Sequence, residues 1–373
     1  MATVYLHIGM PKTGTSALQR FLAVNRPVLE TYGLSFPDLG FRFPGRGENR
    51  NGYFLLGEGY TPEGAAACEW KRKEYHEGIA ELARLGRAYS RIILSDEGLW
   101  WGGRRRPLFW PELKKDFEKA GLELRVIVYL RRQDDFVQSR WAQVIKEGQS
   151  SSFEDYIRES CEKNYPLDYA EYLSKIGSVI GKENVLVRVY ERGQFAGEEQ
   201  TIFSDFLDIF GRKMTDGFEA GETVNNLSLE GGYTHLQRYV NLSDGTASEK
   251  KPLSEMIRRM QSEDVNIQKR RHEMYFASEE RRRSFMDSFA ESNSIVAREY
   301  LGREDGRLFY QEETKTAAQD RMEMLGDLTA LLGEMEQAQQ KEYASFRKEL
   351  QSLKREMRAQ RLSVWLKNKF SGH

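Results

Sequence analysis

The sequence predicts an α/β fold, a parallel sheet flanked by helices, with helical insertions and a long C-terminal helix or coiled coil. Three observations predict it. Short apolar runs alternate with helical stretches over residues 1–215, a glycine- and hydroxyl-rich turn joins the first run to the first helix, and the chain changes character at about Thr316. Apolar runs separated by helices point to a parallel sheet covered on both faces.

In chain order, residues 4–8 (VYLHI) form the first strand, and residues 15–22 open a helix with Ala17, Leu18, Phe21 and Leu22 at helical spacing. Residues 35–65 are rich in Gly, Pro, Asn and Phe without a period, which predicts a binding loop or lid. Residues 91–95 (RIILS), 124–130 (LRVIVYL) and 184–190 (NVLVRVY) supply further strands. Residues 220–310 read as mainly helical and polar, with basic clusters at 269–271 and 281–283. From Thr316 onward there is no proline, and Leu325, Leu328, Leu332 and Met335 lead into Tyr343, Phe346, Leu350, Leu353 and Met357 at alternating spacings of three and four, with one stutter between the groups. The chain is therefore read as a domain over 1–315 and a helical stalk over 316–373, through which copies associate as a homo-oligomer. Between Lys341 and Lys369 the stalk holds nine basic and three acidic residues and ends in Val364-Trp365-Leu366, a pattern suited to peripheral contact with an anionic membrane.

Composition narrows the function classes. Lysine and arginine (56) nearly cancel aspartate and glutamate (57) along 373 residues, so no global basic field for nucleic acid exists. The two cysteines, Cys68 and Cys161, form neither a disulfide framework nor a thiolate zinc motif, which fits a reducing compartment. No basic leader precedes the first strand, and no apolar run approaches the ~18 residues of a spanning helix. These features predict a cytoplasmic protein whose tail reaches the inner membrane face.

Chemistry concentrates in Gly9-Met10-Pro11-Lys12-Thr13-Gly14-Thr15-Ser16, between the first strand and the first helix. A loop there aims backbone N–H groups and the positive end of a helix dipole at an anion. Thr13, Thr15 and Ser16 are expected to add hydroxyl donors. The nucleotide triphosphatase pattern G-x-x-x-x-G-K-[ST] is matched at Gly9, Gly14 and Ser16, but Thr15 stands at the lysine position and the lysine has moved forward to Lys12. That displacement suits a donor with a single 5′-phosphate joined to a second acidic group. Such a donor needs less countercharge and no metal, and one lysine near the bridging oxygen can stabilise the leaving phosphate.

The stretch LHIGMPKTGTSALQRFL resembles the 5′-phosphosulfate loop of the sulfotransferases, particularly the bacterial and carbohydrate-type members. Arg131, ending the run VIVYLR, with Ser139 eight residues on, is similar to the family's 3′-phosphate element. The blocks VLVRVYERGQF with FSDFL, and AREYLGRE near residue 300, are weaker echoes, so the likeness spans roughly residues 3–310. It implies 3′-phosphoadenosine 5′-phosphosulfate as donor and sulfuryl transfer to a hydroxyl, in this part of the family that of a carbohydrate. Pro11, Lys12, Thr13, Gly14, Thr15 and Ser16 would hold the 5′-phosphosulfate, and Arg131 and Ser139 the 3′-phosphate.

Transfer to a hydroxyl benefits from a positioned base. Glu97, in the Ser95-Asp96-Glu97 step after an apolar strand, emerges where open α/β sheets bind ligands and is the first candidate. Asp38 is the second, since many glycan sulfotransferases place a carboxylate after the first helix; Asn49 and Asn51 stand where relatives use histidine. His7, inside the first strand, reads as a core histidine. Two other classes remain: a small-molecule kinase with Asp96 holding Mg²⁺, and a non-catalytic coiled-coil scaffold or membrane tether.

Overall fold

The computed structural model describes residues 1–43, 47, 49–56, 69–106, 108–161, 163, 165–220, 229–264, 273–311, 316–317 and 348. Cys68, the basic run at 269–271 and the expected stalk beyond Ala317, with its basic end, lie outside these residues; Thr316–Ala317, where the stalk was expected to begin, is a two-residue strand. The chain divides into two compact units, one of Met1–Glu147, Ser151–Ser228 and Met274–Ala317, the other of Gly148–Ser150, Leu229–Glu273 and Ala318–His373.

The first unit is built on five parallel strands in the order β2-β3-β1-β4-β5. These are β1 (Ala2–His7), β2 (Leu34–Ser35), β3 (Arg91–Ser95), β4 (Leu122–Leu130) and β5 (Val185–Val189). Val4 lies opposite Ile92 on one side and Leu124 on the other, a register that brings the ends of β1 and β3 level at His7 and Ser95. Side chains alternate across the sheet. Val4, Leu6, Ile92, Leu94, Val126, Val128 and Val187 enter the larger core, while Tyr5, Ile93, Ile127 and Tyr129 enter the smaller one on the opposite face. Both faces are thus covered, as the apolar runs require. On the smaller side α1 (Thr15–Val24) turns Leu18, Phe21 and Leu22 inward, and Phe21 stacks on Phe203 at 4.7 Å between ring centres.

The chain leaves β1 for the β2 edge, returns to β3 beside β1, then crosses to β4 and β5 on the other side. The loops after β1, β3 and β4 therefore open at one edge around the reversal of strand order, where α/β sheets bind ligands. After β4 comes α2 (Gln133–Lys146). Its first turn holds Asp134, fully buried, which takes hydrogen bonds from Arg132 Nε at 2.9 Å and Arg282 Nη1 at 2.6 Å. The arginine run 281–283 is thus not a uniform solvated face. Arg281 and Arg283 meet Glu154 and Glu279 at the surface, and Arg282 is a buried countercharge.

The end of this unit is strapped over the chain following β5. Glu191 accepts the backbone N–H of Tyr310 at 3.0 Å and that of Gln311, while Arg132 Nη1 donates to the Gln311 carbonyl at 2.6 Å. Of the irregular 35–65 segment, residues 53–56 form a single buried helical turn. In the second unit, two helices (Gly232–Leu242 and Ala247–Glu263) enclose a small core of Leu229, Tyr233, Leu236, Val240 and Ile257. No helix among the described residues is long and apolar enough to cross a membrane.

Candidate active site

The loop from Gly9 to Ser16 closes tightly at the end of β1. Gly9 has φ of +46°, and a Cβ there would lie 2.5 Å from Thr15 Cγ2, so only glycine fits. Gly14, at φ +73°, ends the loop and hands the chain to α1, whose N-terminus has no side-chain cap. The uncapped N-terminus of such a ten-residue helix is of a kind that favours an anion. Lys12 adopts φ of +67°, a left-handed conformation that costs a non-glycine residue about 1–2 kcal/mol. Arg131 Nη1 donates to the Lys12 carbonyl at 2.7 Å and holds it there.

That bond joins the two motifs. Tyr169, wholly buried, completes the join by donating to the Arg131 carbonyl at 2.6 Å with Met10 Sδ at 3.2 Å. Lys12 Nζ lies 3.4 Å from Gln143 Oε1 on α2. Burial first, and then the nearby Arg131, Arg140 and Lys146, lower the Lys12 pKa, with Glu97 opposing. Arg131, Arg140 and Lys146 are thus near enough to act on the Lys12 ammonium, in a chain with no net excess of base. Arg140 is oriented by its bond to Tyr165 Oη at 2.6 Å, and the Arg131 guanidinium lies 6.0 Å from the centre of the Tyr190 ring.

The expected hydroxyl donors divide. Thr13 Oγ1 is buried and donates to the Met10 carbonyl, so it braces the loop. Thr15 Oγ1 donates to Glu97 Oε2, and Ser16 is exposed in the first helical turn. Pro11 is buried within the loop, and Ser139 is half-buried on α2.

Glu97 is thus brought against the loop, with Arg50 Nη1 3.8 Å from its other oxygen. Asp38 is differently placed: its carboxylate is paired by both terminal nitrogens of Arg42, at 3.0 Å each, and is 44 % exposed. The Arg42 hydrogen bonds lower its pKa to about 2, which makes it a poor proton acceptor. Asp96 is fully buried and held by Arg50 Nε at 2.9 Å, Arg50 Nη2 at 2.8 Å and the Gly98 amide at 2.7 Å. With both oxygens engaged it does not present the open carboxylate that a Mg²⁺-holding role requires. Asn51 pins the same loop to β3, donating to the Ile93 carbonyl at 3.2 Å and accepting from the Ser95 amide at 2.8 Å.

His7 is a core residue, as its place in a strand implies. Its Nδ1 lies 2.8 Å from Ser95 Oγ, the ring sits edge-on to Tyr129 and Phe206, and burial lowers its pKa to about 3.

Sequence reasoning missed Arg50, Arg140, Gln143 and Lys146. Gln143 and Lys146 stand four and seven residues after Ser139, on one helical face, and that periodicity could have found them. Arg50 lies in an aperiodic stretch and gives no such signal.

No family model matches the chain. A protein from Archaeoglobus fulgidus, described only as uncharacterized, is 27 % identical over 197 residues, which is 51 % of this chain and 49 % of the relative. The chain thus spans about half the length of the curated relative it matches. The crystal structure of a sulfotransferase from Alicyclobacillus acidocaldarius is similar with a TM-score of 0.36 and 16 % identity, over 61 % of this chain and 87 % of that one.

Proposed function

We propose that this chain transfers a sulfuryl group from 3′-phosphoadenosine 5′-phosphosulfate to an acceptor hydroxyl, that of a carbohydrate. The observation that carries the reading is the bond from Arg131 to the Lys12 carbonyl, which merges the loop motif with the arginine–serine motif in one cationic site. Supporting the reading are an uncapped helix N-terminus and the nearness of Arg131, Arg140 and Lys146 to Lys12, a set suited to a molecule with two phosphate-type groups.

In this reading the loop amides and Lys12 hold the 5′-phosphosulfate, and Arg131 and Ser139 hold the 3′-phosphate. The bound donor supplies an activated sulfuryl group on a phosphate leaving group. Lys12 places positive charge where the leaving phosphate gains negative charge, an electrostatic contribution prepared in advance by the fold. Glu97 takes the acceptor proton; its contact with Thr15 fixes the carboxylate beside the loop, and Arg50 orients it from the other side. The tail from Thr316 serves in this proposal as a helical stalk that associates copies of the chain, with its basic end toward an anionic membrane.

Calorimetric titration with 3′,5′-adenosine bisphosphate, beside 5′-AMP and ATP–Mg²⁺, tests the donor site. The bisphosphate should bind alone among the three, and K12A and R131A should each weaken it by about 10- to 100-fold, the effect of one charge-assisted hydrogen bond. Glu97→Gln should cut turnover by about 10²–10⁴-fold while the bisphosphate affinity stays within a small factor. Preference for ATP–Mg²⁺ would overturn the reading in favour of a kinase.

A further inference from the structure

A second cavity, of about 190 Å³, lies on the β3 side of the site. It is lined by Arg26, Asp38, Phe41, Arg42, Phe43 and Arg50, among other residues of the same segment. Three guanidinium groups here face one carboxylate among the described residues. Arg42 is engaged by Asp38 and Arg50 by Asp96. Arg26 is different: its Nε donates to the Phe36 carbonyl at 2.9 Å and its guanidinium lies 5.5 Å from the Phe36 ring, and no described carboxylate lies within ion-pair distance of it. Among the described lining residues the guanidinium groups thus outnumber the carboxylate, and Arg26 reaches Asp38 only as a more distant charge. Phe41 and Phe43, 6.5 Å apart between ring centres, supply flat apolar surface beside it.

Position gives this charge a meaning. Arg50 belongs both to the cavity wall and to the Glu97 environment, so the cavity opens across one side chain from the proposed base. Of the cations assigned to the donor, Lys12 lies in the loop after β1, and Arg131, Arg140 and Lys146 follow β4 or lie on α2, on the other side of β1. A volume of about 190 Å³ is below the ~300–1,000 Å³ of a whole ligand pocket, and so it suits one charged ring rather than an entire glycan.

We propose that the acceptor is anionic, and that a carboxylate or sulfate group on the sugar ring seats against Arg26 and Arg42 while its reacting hydroxyl reaches Glu97. This inference rests on the proposed sulfotransferase reading and specifies its acceptor. A neutral acceptor would leave Arg26 only the distant charge of Asp38 among the described residues. An anionic one gains charge-assisted hydrogen bonds there, with a carboxylate able to meet a guanidinium in paired fashion.

The test is titration of the full chain, saturated with 3′,5′-adenosine bisphosphate, with methyl glucuronide, glucose 6-sulfate and neutral methyl glucoside. At least one anionic sugar should bind about tenfold more tightly than the neutral one. Which anionic sugar wins assigns the group to carboxylate or sulfate. Arg26→Gln should abolish the preference and leave bisphosphate affinity unchanged; Arg42→Gln, at a half-exposed position, should do the same and guards against a folding defect at Arg26. Equal binding of neutral and anionic sugars, no binding by any of them, or a preference that survives both substitutions would overturn the proposal. Failure of the bisphosphate itself to bind wild type would instead remove the donor reading, and sugar titration without it would still decide the cavity.

Discussion

Replacing Arg50 by methionine removes the only side-chain partner of Asp96 given by the hydrogen bonds above, and the consequence can be worked from geometry. Asp96 is fully buried, and two of its three hydrogen bonds, at 2.9 and 2.8 Å, come from that guanidinium. Only the Gly98 amide would remain. Stranding a buried charge in this way costs about 3–5 kcal/mol. Asp96 can limit the loss by taking up a proton, since burial already raises its pKa against the pull of Arg50. The deficit of R50M relative to wild type should therefore be largest near pH 8 and shrink on acidification toward pH 5. The sign follows from linkage: in the variant the folded state binds a proton that unfolded Asp96 does not hold until about pH 4, so lower pH favours the folded variant. Urea denaturation of both proteins at several pH values gives the difference directly, and shared titrations cancel in it. A deficit below about 1 kcal/mol at pH 8, or one that does not narrow with acid, would refute the claim that Arg50 neutralises a buried carboxylate.

Two further outcomes follow from the same geometry. His7, with its pKa lowered to about 3, stays neutral in the folded protein while an unfolded histidine protonates near 6.5, so stability is complete above that pH and falls as pH drops from 6.5 toward 3, by about 1.4 kcal/mol per unit at most; His7→Gln should flatten this slope in denaturation curves. Gly9→Ala forces a Cβ to within 2.5 Å of Thr15 and a left-handed φ on alanine, so it should destabilise the protein by about 1–3 kcal/mol and weaken bisphosphate binding together, as thermal melts and calorimetry would show.

Much of the sheet was legible because its central strands are buried on both faces and therefore read as apolar runs. Residues 91–95 were placed at their observed bounds, and β1, β4 and β5 within two residues of theirs. β2 was not legible, since two residues carry no period. The turn from Gly9 to Ser16 was legible because a tight strand-to-helix turn with left-handed φ demands glycine at fixed positions. The roles of its hydroxyls were not: whether Thr15 faces an anion or Glu97 depends on where β3 ends, 80 residues downstream. Arg282 shows the same limit. A run of three arginines looks like a solvated face until Asp134, 148 residues away in sequence, is found beneath the middle one. Long-range charge pairing leaves no local pattern, and Arg50, whose partner Asp96 lies 46 residues on, escaped notice for the same reason.

The strap at the end of the first unit has a mechanical consequence. Gln311 is fastened at its amide by Glu191 and at its carbonyl by Arg132, the residue that follows Arg131. A displacement of Gln311 is therefore felt at Arg132, one peptide bond from the arginine that grips the loop. The loop that carries Lys12 is thus coupled, through two neighbouring arginines, to a segment 179 residues further along the chain than Arg132.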